Sequence, residues 1–124
     1  MAIYTNLPVY KASYRLMLSL SRAMPNMPRD CRYSLGQDTQ RKIMDVIVLI
    51  YNANRERNKL LLIRKMQEVL TEVQVYVRLM NDMKYISEGM YLDFAEQIVG
   101  IAKQMSAWEK HVKAKCEAED ACDS

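Results

Sequence analysis

The sequence predicts an all-α fold: an antiparallel four-helix bundle in up-down-up-down order, oligomeric rather than solitary. Three observations carry this. Apolar residues return every three or four positions along four long stretches, the signature of one buried helical face. All three prolines fall at or before Pro28 in a chain of 124 residues, so the remainder lacks the residue that most strongly breaks helices. Glycines number only three, while half of the residues are hydrophobic, enough to fill a single core. Ten methionines against one phenylalanine make that core aliphatic and pliable. The bundle is expected to span residues 1–116, followed by an acidic, aperiodic tail over 117–124.

The first helix is predicted from about Leu7 to Met24. Ile3, Leu7, Tyr10, Tyr14, Met17, Ser21 and Met24 step by four and three, and Leu16 and Leu20 widen the stripe. Pro25 and Pro28 then end it, because proline lacks an N–H and disfavours helix in the residue before it. Ser34 and Gln37 have capping-box spacing, which predicts the second helix from about Ser34 to Ala53, with Asp30 a competing cap one turn earlier. Ile43, Ile47 and Ile50 form its stripe, Met44, Val48 and Tyr51 a second beside it, and Val46 and Leu49 extend the apolar surface nearly all round. This run is β-branched enough to resemble a buried strand, but its length favours helix. A helix apolar on every side needs cover from more than one neighbour, such as a second subunit.

The polar break from Asn52 to Lys59 offers an asparagine cap. A third helix follows from about Lys59 to Met83, on a stripe of Leu62, Met66, Val69, Val73, Tyr76, Met80 and Met83. Ser87 is the expected cap of a fourth helix, about Glu88 to Lys113, with Tyr91, Phe94, Ile98, Ile101, Met105, Trp108 and Val112 on its core face. Short corners between helices of similar length favour antiparallel neighbours.

The net charge of +3 conceals an asymmetry. Residues 1–65 hold twelve Lys/Arg against four Asp/Glu, residues 66–116 hold six against seven, and the last eight residues hold four acids and no base. A basic body favours a polyanionic partner. In an up-down bundle the second corner and the end of helix four share one end. That end gathers Arg55, Arg57, Lys59, Arg64, Lys65, Lys110, Lys113 and Lys115, against Glu56 and Glu109. The other end gathers Arg22, Arg29, Arg32 and Lys84, diluted by Asp30, Asp82 and Glu88. Nucleic-acid contact is therefore expected first at Arg55, Arg57, Lys59, Arg64 and Lys65. Arg22, Arg29, Arg32, Arg41, Lys42, Lys110 and Lys113 stand behind them. A surface of this kind neutralises phosphates without reading bases, and its binding is strongly salt-dependent. The competing explanation is a solvated face that only keeps the bundle soluble. The eight tyrosines offer stacking surfaces, though at helical spacing most belong to the core or a subunit interface.

Other chemistry finds little support. No GxSxG elbow, P-loop, GxGxxG or HExxH occurs, and no Glu-x-x-His pair of the di-iron bundles. His111 is the single histidine, and Cys31, Cys116 and Cys122 form no CxxC pair, so neither a metal nor a cofactor is expected. The expectation is a non-enzymatic protein with reduced thiols in the cytoplasm. There is no basic stretch followed by an apolar run at the N-terminus, and no run approaching about 18 apolar residues, so neither export nor a membrane span is expected.

Met27-Pro28, then Tyr33-x-Leu35-Gly36-x-x-x-x-Arg41, Asn54 before helix three, and the apolar run Ile101 to Trp108 ending in tryptophan carry a family likeness. Over roughly residues 5–113 the chain resembles the small four-helix proteins that include the intervening-sequence proteins of bacterial ribosomal RNA genes. It is most similar to the accessory variability determinants (Avd) of diversity-generating retroelements. It departs from the wider family where Arg41-Lys42 is followed by Ile43-Met44-Asp45, and where Asn54-Arg55-Glu56-Arg57 replaces an Asn-x-x-Glu-Gly end. That departure draws it toward the retroelement branch. The resemblance implies a non-catalytic homopentamer that partners a reverse transcriptase and binds template RNA and cDNA, with the catalytic metals residing in the transcriptase. The alternative is an oligomeric helical scaffold that binds proteins and no nucleic acid.

Overall fold

A computed structural model of the chain describes residues 7–119 and is all-helical over them. Four long helices dominate: α1 (Pro8–Ala23), α2 (Gln37–Arg55), α3 (Lys59–Asp82) and α4 (Glu88–Glu119). Helices adjacent in sequence pack against one another, and α1 closes the set against α4. The expected positions of Ile3 and Tyr4, of Cys122, and of the tail beyond Glu119 lie outside the described residues.

Pro8 opens α1 at a position where its missing N–H costs nothing. The core face of α1 is Val9, Ser13, Leu16, Met17, Leu20 and Ala23. This is a rotation from the expected stripe: Tyr14 is 47% exposed, and Leu16 and Leu20, read as widening residues, are at the centre. The heptad arithmetic was satisfied by either face, and the tyrosines, with a polar tip to hydrate, lose the interior to leucine.

The first corner departs further from the capping reading. After a 3₁₀ turn over Met24–Asn26, the chain re-enters helix at Arg29–Cys31, passes through a π-helical turn at Arg32–Gly36, and continues into α2. Ser34 therefore caps nothing; its hydroxyl donates to the Asp30 carbonyl inside the helical run. Gly36 permits the tight passage, since a Cβ there would sit 3.2 Å from the Cys31 carbonyl oxygen and 3.5 Å from Met24 Cε. Cys31 and Met27, both buried, anchor the turn below through a sulfur contact of 3.8 Å.

On α2, Ile43, Val46, Ile50 and Ala53 are buried, while Met44, Val48 and Tyr51 remain exposed along the outer face, as an all-round apolar helix requires. The third helix buries Leu60, Ile63, Met66, Val69, Leu70, Val73, Val77 and Met80, and leaves Met83 53% exposed. It ends in a Schellman motif: Lys84 takes φ 61°, Tyr85 N–H donates to Met80 C=O at 2.8 Å, and Lys84 N–H to Asn81 C=O at 3.0 Å. Ser87 caps α4 as expected, accepting the Met90 N–H at 3.1 Å. Phe94, Ile98, Ile101, Met105 and Val112 are buried, with Tyr91 and Trp108 packed at the core's edge. Helix continues past the expected end at Lys113 to Glu119.

Candidate nucleic-acid interface

The second corner is built by its own lysine. Where α2 stops, its last carbonyls have no intrahelical partner. Lys59 supplies one: its Nζ donates to the carbonyls of Ala53 (2.7 Å), Glu56 (3.0 Å) and Asn54 (3.3 Å). Burial pushes the Lys59 amine below the usual lysine range, and the positive charge of Lys115 on α4 adds to that, opposed by Glu56. The corner and the far part of α4 are thus close enough for their charges to repel.

Around this clamp the nominated residues separate into occupied and open groups. Arg64 pairs with Glu109 across α3 and α4 at 3.4 Å, with Gln67 bonded to the same carboxylate at 3.3 Å. Lys65 lies 3.7 Å from Glu68, and Arg41 3.3 Å from Asp38. Lys42 bridges α2 to α3 through Glu72 at 2.5 Å and lies 5.4 Å from the Tyr76 ring centre. That pairing raises the Lys42 pKa and lowers that of Glu72. Arg55 rests on Tyr51, 5.2 Å from the ring centre with its Nη1 3.3 Å from the hydroxyl.

Arg57, Lys110, Lys113 and Lys115 are exposed, and none of them pairs with a carboxylate among the described residues. Lys103, which sequence reasoning passed over, stands with Lys110 beside a shallow groove between α3 and α4 lined by Gln74, Ile98, Val99 and Ala102. The i, i+7 spacing of those two lysines was the available signal. At the first corner Arg22 is exposed, while Arg29 and Arg32 flank the Tyr33 ring at 5.9 and 5.5 Å. Among the described residues no cluster of His, Cys, Asp or Glu is arranged to hold a metal, and no helix is long and apolar enough to cross a membrane.

A family model described as bAvd-like matches residues 9–112. The chain belongs to the bAvd-like family. No curated protein gives a match. The bAvd-like region takes in α1 to α3 and most of α4, and therefore both corners that carry the arginines. Of the open cations named above, Lys113 and Lys115 fall just past its end.

Proposed function

We propose that this protein is the accessory subunit of a diversity-generating retroelement. In this reading it acts without catalysing a reaction: it binds the reverse transcriptase and holds template RNA and nascent cDNA for mutagenic copying in the cytoplasm. Membership of the bAvd-like family is the observation that carries the reading. The helices alternate in direction, a topology supported by the cross-helix bonds Ser21–Gln40, Lys42–Glu72, Arg64–Glu109 and Ser19–Gln97. Alternation puts Arg55, Arg57, Lys110, Lys113 and Lys115 at one end, with Lys59 and Lys115 already in electrostatic reach.

The nucleic-acid role divides the nominated residues by what each has left to offer. Arg57, Lys110 and Lys113 have their donors open and are the primary phosphate contacts, with Arg55 beside them. Lys59 serves the corner, and Arg64, Lys65, Arg41 and Lys42 hold carboxylates that phosphate must displace. Such contacts are sequence-independent and release counterions, so affinity falls steeply with salt.

The exposed apolar residues favour self-association into the pentamer and contact with a protein partner. Tyr14, Met44, Val48 and Tyr51 stand out along α1 and α2, and Leu61, Val75 and Leu79 along α3. Light scattering with and without a structured RNA tests the reading. A pentamer-sized particle that gains RNA mass at low salt and sheds it at high salt is expected. A pentamer indifferent to RNA favours the protein-binding scaffold, and a monomer indifferent to RNA removes both.

A further inference from the structure

Tyr33 is set apart from the other exposed tyrosines. It is 59% exposed, the highest among them. Tyr14 stacks on Tyr10 with ring centres 6.0 Å apart, and Tyr51 has its hydroxyl bonded to Arg55, so both are engaged. Tyr33 has instead two arginines, Arg29 at 5.9 Å and Arg32 at 5.5 Å from its ring centre. Flat stacking would bring the groups to about 3.5–4 Å. The guanidiniums thus lie over the ring without closing on it, and the residue keeps more than half of its surface in solvent.

Neither arginine has a carboxylate within ion-pairing distance among the described residues, although Asp30 is adjacent in sequence. The Arg32 Nε is buried and has no hydrogen-bond partner. A guanidinium carries five N–H donors and suits a phosphate by geometry. The seat is held from below: Cys31 and Met27 are buried, and the π turn passes through Gly36 at a separation that admits no Cβ without movement. An exposed tyrosine with two arginines over its ring, neither paired to a carboxylate among the described residues, on a braced turn, is the chemistry that takes up an unpaired nucleotide: the base joins the cation–aromatic stack, and the outward N–H groups of the guanidiniums meet its phosphates.

We infer that Tyr33, Arg29 and Arg32 form a stacking site for one unpaired base of single-stranded nucleic acid. This rests on the nucleic-acid reading above. It assigns the first corner a separate task from the phosphate-binding end around Arg57. Duplex would bind at the basic end, and a single strand would additionally engage Tyr33.

The test measures affinity of the full chain for a short uridine RNA, the matching thymidine DNA and a blunt RNA duplex of equal length. Wild-type protein, Tyr33→Leu and Tyr33→Phe are compared, with folding checked by circular dichroism. Loss of one stack lowers single-strand affinity about tenfold in Tyr33→Leu, spares the duplex, and leaves Tyr33→Phe near wild type. Equal losses on RNA and DNA mark the base as the ligand; a loss on RNA alone assigns the site to RNA. A 5-iodouracil strand should photo-crosslink to Tyr33. Unchanged single-strand affinity in Tyr33→Leu, or equal loss on duplex, overturns the site while leaving the basic end standing. Wild-type protein that binds neither form removes both.

Discussion

Replacing Lys59 with methionine separates the two roles a corner lysine can have. Methionine keeps the unbranched stem and a comparable helix propensity, so the change removes little beyond the amine. The amine donates to three carbonyls at 2.7, 3.0 and 3.3 Å. Hydrogen bonds to a charged group contribute up to roughly 1.5–3 kcal/mol when desolvated. Lys59 is only half-buried, so water recovers part of that loss at the freed carbonyls. Removing the charge also relieves its desolvation and its repulsion with Lys115. The net loss is that of a helix cap, about 1 kcal/mol. For a domain of this size that lowers Tm by about 4 °C. Thermal unfolding followed by circular dichroism reads this directly. RNA affinity as a function of salt should keep its slope in Lys59→Met. Arg57→Gln should do the reverse, with stability unchanged within about 0.5 kcal/mol and the slope reduced by about one. If Lys59→Met instead keeps its Tm and loses one unit of slope, the amine faces phosphate and the clamp is refuted.

Three further outcomes follow from the same geometry. Lys84→Gly relieves a left-handed residue at the end of α3 and should raise stability by about 0.5–1 kcal/mol in denaturant unfolding, net of glycine's greater chain entropy. Gly36→Val drives side-chain carbons into the Cys31 carbonyl and the Met24 and Met27 side chains, and should cost about 2 kcal/mol by the same measurement. The Lys42–Glu72 pair sets an acid dependence: Glu72 has a lowered pKa in the folded state, so its contribution is present above the ordinary carboxylate value and is lost as pH falls through the lowered one. The Tm difference between wild type and Glu72→Gln should accordingly shrink in acid.

The sequence made the helices legible because burial dominates their pattern. On α4 every expected core position is buried or packed at its edge, from Tyr91 to Val112. On α1 the buried face is rotated from the expected stripe: Met17 is buried and Leu7, Tyr10 and Met24 pack at the core, but Tyr14 gives way to Leu16, since both fit a heptad and only competition for the interior decides between them. The π turn at Arg32–Gly36 left no mark in periodicity; Ser34 with Gln37 mimicked a helix start inside a continuing helix. Charge clustering nominated a basic end, but composition cannot tell a cation facing solvent from one spent on a carbonyl or a carboxylate. Lys59, Arg64 and Lys42 were indistinguishable from Arg57 until their partners were in place.

The most direct test of the account is the salt dependence of RNA affinity for wild type against an Arg57→Glu/Lys110→Glu/Lys113→Glu variant. The account predicts tight binding at low salt that weakens steeply with salt in the wild type, and near-complete loss in the variant with helical content and oligomer mass preserved. Equal affinity and equal slope in the two proteins would contradict it.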